Sequence, residues 1–576
     1  MFFLKFKLLL LLTMLLFVNA SFSQLPAAYY RIFNEGVYAW QMKPKADYEK
    51  AFSKFIQTEQ FSDRRLIVNP FISYDEEKSN ATELKDGNRR YVRFMLNMHK
   101  VRPDLEKKFN PLNLAWNMSE KIKSINFRNE ILKSLISKQT DENKDQLKTL
   151  FNRLEQATNV FSASSIEENI NEIIPDYKIL SQQAVSLEEI KSVLNPGEIL
   201  LSFLMTDNRR HVFVWKIEKN KAIEIVALKI NTADLFFRIE CLKADFENNN
   251  SFKDSLINFY IPLEKNDLRD GRNPAPPFTN HGYTSKEILK GFSESIIEPL
   301  HLSEGSKLVI ACDQNISALP FEIIPFKNKM MFDFFDISYI PSAKVLYFLR
   351  KRSSPNIDPQ YNSYCGFAYD DNGKLSNAEI TAFKGAKNTI IQKSSETDVY
   401  SYKKDISISN IVHFSTHGKI KENHNGTITQ FLQYYPDTQN DGILTSAEII
   451  NKLRFNNSLV VLSACQTAPS LDINEYFDVK EFFDLNNKRY FVFGGCLCSY
   501  GETFSNLTSA FFIAGARNLI MTQWNIKAKA STEFFEIFYE KLIEFQDISK
   551  ALKETKKDLI QNNNYALYGA FILVSD

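Results

Sequence analysis

The chain has 576 residues, 44% of them hydrophobic and 24% charged, which is enough apolar material for a sizeable core and a length that suits two to four domains. Seventy basic residues stand against 69 acidic ones, a formal net charge of +1, so the basic footprint of a nucleic-acid binder is absent and protein or peptide partners are expected. Six cysteines are too sparse for a disulfide scaffold of this length.

The first 23 residues read as a signal peptide. Lys5 and Lys7 precede an apolar run from Leu8 to Val18, and Asn19-Ala20-Ser21-Phe22-Ser23 supplies the small residues of a cleavage site, placed here after Ser23. The run is short for a membrane span of ~20 residues, and no later stretch is long and apolar enough to cross a bilayer. The mature chain is therefore expected to be periplasmic or secreted, with no integral membrane segment.

Residues 24–193 carry apolar positions at helical spacing on charged surfaces, as in Ala46 to Ile56, Arg89 to His99, Pro111 to Ile125 and Glu142 to Thr158. They form a helical region without a convincing 34-residue self-similarity, a candidate docking surface for a protein partner or substrate, or else a layer that packs on the rest. Residues 194–354 change period. Glu198 to Met205, His211 to Ile217 and Ala222 to Ile230 read as a small meander, and a proline-rich loop at Gly271 to Pro277 precedes a further strand at Lys307 to Ala311.

Residues 355–576 alternate strands and helices, which argues for an α/β fold with a mostly parallel sheet. The strands are Tyr364 to Phe367, Asn388 to Gln392, Ile411 to Gly418, Leu459 to Cys465, Leu519 to Trp524 and Ala570 to Val574, and long amphipathic helices run from Ala528 to Phe545 and Ile548 to Leu559. Leu459-Val460-Val461-Leu462 is continuously apolar, as a strand covered on both faces must be. It ends in Ser463-Ala464-Cys465. Ile411-Val412-His413-Phe414 has the same form and ends in Ser415-Thr416-His417-Gly418. Between the two, Thr445-Ser446-Ala447-Glu448 is a capping box opening a helix. Strand, helix, strand brings the second strand back parallel to the first, so His417 and Cys465 share one edge of the sheet, where open α/β folds place their sites.

A thiol beside an imidazole can surrender its proton and attack a carbonyl. Cys465 is thus the candidate nucleophile and His417 the candidate base. The backbone N–H groups of Gly418 and Cys465 are candidate oxyanion donors, glycine allowing a substrate carbonyl close approach. Such chemistry requires no metal or organic cofactor. His413 lies four positions before His417, but on a strand that spacing does not make a metal pair, and it reads as a satisfied core histidine or one that supports the site from behind. His424, in an asparagine-rich loop, reads as solvated. Cys496 and Cys498 lack the spacing of a zinc or redox pair, and the remaining cysteines, Cys241, Cys312 and Cys365, read as reduced core residues.

Ser415-Thr416-His417-Gly418 and Leu462-Ser463-Ala464-Cys465-Gln466-Thr467 resemble the two signature blocks of the CHAT family, caspase-like cysteine peptidases often joined to tetratricopeptide repeats. Leu319-Pro320-Phe321-Glu322, Ile340-Pro341-Ser342, Asp441-Gly442-Ile443-Leu444, Ala514-Gly515-Ala516-Arg517, Gln523-Trp524 and Gly569-Ala570-Phe571 follow the family's order, so the likeness covers roughly Leu194 to Asp576. It implies a caspase-like three-layer sandwich, a non-catalytic first half at 194–354, a catalytic half at 355–576 and, for residues 24–193, a degenerate repeat array. It also implies the His417 and Cys465 dyad of a cysteine endopeptidase, and the 48 positions between the two agree with the spacing of about 50 in caspases. The long acidic and aromatic stretch Leu471 to Tyr500 departs from the family's pattern and reads either as a specificity or activation loop or as a solvated insertion. The rival to an enzyme is a caspase-like scaffold whose dyad is unused.

Overall fold

The computed structural model describes most of the chain from Ala27 to Ser575. Outside the described residues lie 1–26 and, chiefly, 42–46, 67–73, 125–130, 178–184, 206–211, most of 231–256, 263–277, 352–360, 370–374, 423–427, 464–477, 484–488, 495–505 and 561–568. The signal segment, the proline-rich loop, Cys241, His424, Cys465, Cys496 and Cys498 therefore fall outside them.

The chain divides into two compact units. The first, whose described residues fall within Met1–Met118 and Gln139–Gln183, is helical. Its elements include Ala27–Gln41, Tyr48–Leu66, Tyr74–Val101, Asp141–Gln156 and Val160–Ile173. Phe33, Phe52, Phe55 and Tyr91 project from three of these helices into a buried aromatic core, with the Phe55 and Tyr91 rings meeting edge to face at 6.3 Å. The apolar stripe read at helical spacing is what fills that core.

The second unit comprises Ser119–Lys138 and Ala184–Asp576. Its strands, in chain order, are β1 (Glu198–Met205), β2 (Val212–Glu218), β3 (Glu224–Leu228), β4 (Ile257–Pro262), β5 (Phe278–Tyr283), β6 (Lys307–Ala311), β7 (Pro325–Phe326), β8 (Lys329–Met330), β9 (Asp336–Ile340) and β10 (Ser363–Ala368). They continue with β11 (Lys387–Ile391), β12 (Ile411–Ser415), β13 (His417–Glu422), β14 (Ile428–Gln433), β15 (Ile443–Thr445), β16 (Leu459–Ser463), β17 (Asp478–Phe483), β18 (Arg489–Gly494), β19 (Asn518–Thr522) and β20 (Phe571–Ser575). Eleven of them make one sheet, in the order β11-β10-β12-β16-β19-β20-β9-β6-β1-β2-β3. From β11 to β19 all pairs are parallel, as are those from β20 to β1, and the two blocks meet antiparallel at β19 and β20. The predicted meander is the antiparallel edge β1-β2-β3.

The continuous apolar runs are explained by cover on both faces. Ile411, Leu459, Val461, Ile520, Phe571 and Leu573 join one core with Phe534, Phe535, Phe538 and Tyr539 of the Ala528–Phe545 helix. Phe534 stacks on Phe571 at 3.9 Å. The alternate residues face the other layer, where Phe414 packs on Phe511 of the Asn506–Ala514 helix at 5.7 Å and stacks on Phe367 at 5.5 Å. Each such large side chain taken out of water contributes about 1.5 to 3 kcal/mol before entropy is charged against it.

The crossover between β12 and β16 is built as its sequence indicates. Thr445 caps the Ser446–Lys452 helix, accepting from the Glu448 N–H while the Glu448 carboxylate accepts from the Thr445 N–H at 3.0 Å. A cap of this kind contributes about 1 kcal/mol. Gly442 just before it has φ +78, and a Cβ there would lie 2.5 Å from the Tyr434 carbonyl oxygen, so the turn accepts only glycine. β13, β14 and β15 form a separate antiparallel sheet that the sequence does not announce. The stretch after Cys465 contributes β17 and β18, which pair with each other; β18 then pairs in parallel with β4.

Several of the quoted motif residues prove to be internal ties. Glu322 is buried, accepts from the Tyr339 hydroxyl at 2.6 Å and lies 3.6 Å from the buried Lys556 ammonium. The Gln523 amide reaches the carbonyls of Ser317 and Leu319 at 3.4 Å each, holding the Leu319-Pro320 turn against the end of β19.

Candidate active site

β12 and β16 are neighbours and parallel, with Ile411 opposite Leu459 and Ser415 opposite Ser463. His417 follows two positions after Ser415, and Cys465 two positions after Ser463. The pairing extends one step further, the Thr416 N–H donating to the Ser463 carbonyl at 3.1 Å. Thr416 also donates its hydroxyl to the Gln433 carbonyl. The chain turns there, and the strand breaks at Thr416 rather than running on to Gly418, so that His417 and Gly418 open the antiparallel strand β13, His417 opposite Gln433. His417 is exposed and Gly418 half-buried, on the edge where β12 ends. The His417 ring meets the edge of Tyr369 at 5.7 Å, and Tyr369 is tied to the same strand end by its own N–H, which donates to the Ser415 carbonyl at 2.9 Å. An exposed imidazole at a strand end can exchange protons with a substrate, which a core histidine cannot. Cys465, with its candidate oxyanion N–H, lies outside the described residues. β16, which precedes it in the chain, is described to Ser463.

His413 is the opposite case. It is fully buried, and its Nδ1 lies 3.0 Å from the Tyr364 hydroxyl and 2.8 Å from the Tyr539 hydroxyl. Burial pushes its pKa down to about 3, so the ring is neutral near pH 7. With phenol donors at Nδ1 we assign its proton to Nε2, which lies 4.0 Å from Glu379 Oε1. The reading of His413 as a satisfied core histidine is thus met at one nitrogen, and the other faces a carboxylate.

That carboxylate is the residue that sequence reasoning missed. Glu379 sits on the short Leu375–Ile380 helix and is 3% exposed. Its Oε2 accepts from the Ser415 hydroxyl at 2.6 Å, and its Oε1 accepts from Ser531 at 2.5 Å and from Ser463. Burial raises its pKa, and the three hydroxyls oppose that rise. The sequence carried only a partial signal: both blocks have a serine two residues before the candidate reactive side chain, and nothing in it names the acceptor that the two hydroxyls share. Cys312 and Cys365 are free and buried, and burial raises both thiols well above the ordinary range, which suits inert core residues. Among the described residues no helix is long and apolar enough to cross a membrane.

A family model described as the CHAT domain matches residues 286–573, half of the chain. Among solved structures, the Saccharomyces cerevisiae separase-securin complex at 3.0 Å matches with 11% identity and a TM-score of 0.50, over 95% of this chain and 40% of that one. A second structure of that complex, at 2.6 Å, gives 12% identity and a TM-score of 0.40 over 91% and 40%. The Arg-specific cysteine proteinase gingipain R gives 9% identity and a TM-score of 0.30 over 52% and 68%. The chain thus spans about two fifths of the separase chain it matches. At 11% identity the likeness to the first of these is one of fold alone, the caspase-like α/β arrangement with a large, mostly parallel sheet. No curated protein matches the sequence.

Proposed function

The chain belongs to the CHAT domain family, and from that premise we propose that it is an exported cysteine endopeptidase in which Cys465 attacks a peptide carbonyl and His417 carries the proton. The observation that carries this reading is the register of β12 and β16. Ser415 is paired with Ser463, and in the sequence His417 and Cys465 each stand two residues beyond that matched pair, which supports the reading. His417 takes the thiol proton, the thiolate adds to the carbonyl, and the backbone N–H groups of Gly418 and Cys465 receive the oxyanion. The imidazolium then protonates the departing amine, leaving a thioester that water, deprotonated by the same ring, hydrolyses.

Incubation of the purified mature protein with an unbiased peptide library tests the proposal. Discrete internal cuts sharing a residue before the broken bond, and absent from Cys465→Ala, are expected. An uncut library over prolonged incubation, with wild type and Cys465→Ala indistinguishable, would favour the silent scaffold. Export rests on the basic and apolar segment at 1–23, and sequencing the amino terminus of protein recovered from its native host checks it: a mature chain starting at Gln24 agrees, and one starting at Met1 does not.

A further inference from the structure

We propose that Glu379 is a positioning residue for the dyad: its buried carboxylate bolts the ends of β12 and β16 together and so fixes the spacing at which they release His417 and Cys465. This rests on the dyad reading above. The bolt has three legs. Oε2 holds the hydroxyl of Ser415, the last residue of β12, and Oε1 holds that of Ser463, the last residue of β16. The third leg runs to Ser531 on the Ala528–Phe545 helix, whose hydroxyl also lies 2.9 Å from that of Ser463. Two strand ends and a covering helix are thereby referred to a single carboxyl group, two residues short of each reactive side chain.

Stability alone does not account for such a group. A buried carboxylate costs desolvation that an apolar side chain of similar volume avoids, and replacing buried charges by well-packed apolar groups is often neutral or stabilising. The contrast with Glu322 in the same unit is instructive. That carboxylate lies 3.6 Å from a buried ammonium, Lys556, and serves as an internal tie. Among the described residues, the basic group facing Glu379 is His413 Nε2 at 4.0 Å, on a ring that burial keeps neutral. What the three hydroxyls give Glu379 is geometry: hydrogen bonds of fixed length from three separate elements, meeting at the sheet edge where ladder hydrogen bonds stop. Residues that support a reactive group in this way change rates by about 10- to 100-fold when removed.

The test is the second-order rate at which iodoacetamide alkylates Cys465, followed by peptide mass from about pH 5 to 9, in the full chain and in E379Q, S415A, S463A and H417A, with thermal melting as the control for folding. Wild type is expected to label near neutral pH at least about 10-fold faster than H417A, with thiolate present well below the ordinary thiol range. E379Q and S463A are expected to lose about 10-fold of that rate, with the pH profile moved toward that of a plain thiol and the melting midpoint little changed. E379Q at the wild-type rate and profile, with H417A slow, overturns the bolt and leaves the dyad standing. Wild type no faster than H417A overturns the dyad, and the bolt with it. Should E379Q fail to fold, S415A and S463A, which each leave the carboxylate two hydroxyls, decide the comparison on the same criteria.

Discussion

Cys465→Ala is expected to abolish peptide cleavage, and His417→Ala to lower kcat/KM by about 10³-fold or more at neutral pH. Removing the sulfur removes the atom that forms the acyl intermediate, so background hydrolysis alone remains. Removing the imidazole leaves a thiol that ionises near its free value of about 8.5, so only a few per cent is thiolate at pH 7, and no acid is at hand to protonate the departing amine. A loss of 10³-fold is about 4 kcal/mol of transition-state stabilisation. Two further signatures separate this from a general loss of structure. The double variant should be no slower than Cys465→Ala alone, because the two residues act as one proton-transfer unit. The His417→Ala rate should climb as pH rises toward the thiol range, since hydroxide supplies the ionisation that the imidazole no longer does. Both are read with a fluorogenic peptide built on the preferred cut sequence. A His417→Ala variant within about threefold of wild type would remove that residue from the mechanism.

The largest expected effect on folding lies at the other end of the sheet. Arg350, on the Ala343–Lys351 helix, grips Glu198 at the start of β1 through both nitrogens, at 2.6 and 2.8 Å, and donates to the Val193 carbonyl at 2.8 Å. The Glu198 side chain is 1% exposed and that of Arg350 10%. Lys307 stands 3.5 Å from the same carboxylate and Asn195 donates to it from its N–H at 2.9 Å. Arg350→Ala strips the main partner from a carboxylate that cannot reach water, and a loss of about 3 to 5 kcal/mol is expected in urea unfolding at pH 7. Replacing Glu198 and Arg350 together by methionine should recover most of that loss, since no orphaned charge remains. The pH dependence has a definite sign. Burial pushes the Glu198 carboxyl up, but Arg350, the Asn195 N–H and Lys307 outweigh it and hold the group below the usual carboxylate range. A depressed carboxylate contributes stability above its unfolded pKa of about 4.3 and loses it as pH falls through the lower folded value. The gap between wild type and the methionine pair should therefore shift against wild type below about pH 4. An Arg350→Ala variant within about 1 kcal/mol of wild type would contradict this account.

The sheet around the site was legible because its strands are buried on both faces. Continuous runs such as Leu459 to Leu462 have no other comfortable place in a soluble fold, and the Thr445 capping box marked the helix that makes the crossover parallel. His417 was legible for the same reason, standing where the apolar run gives out. What stayed hidden depends on contacts far apart in sequence. Nothing in Phe571–Ser575 says that it inserts between β19 and β9 and turns the sheet's direction there. Nothing in Lys419, Ile420 and Lys421 marks a strand, and β13 exists because β14, beyond residues 423–427, pairs with it. Glu379 was hidden most completely, since a lone glutamate on a six-residue helix normally faces water. Only the fold discloses that Ser415, Ser463 and Ser531 converge on it.

The most direct measurement of the central claim is covalent capture. A peptidyl electrophile carrying the preferred cut sequence is mixed with wild type, His417→Ala and Cys465→Ala, and the adduct is mapped by mass spectrometry. The account predicts stoichiometric addition to Cys465 in wild type, addition at least about 10²-fold slower in His417→Ala, and none in Cys465→Ala. Addition to a different cysteine, or to Cys465 at the same rate with and without His417, would contradict it.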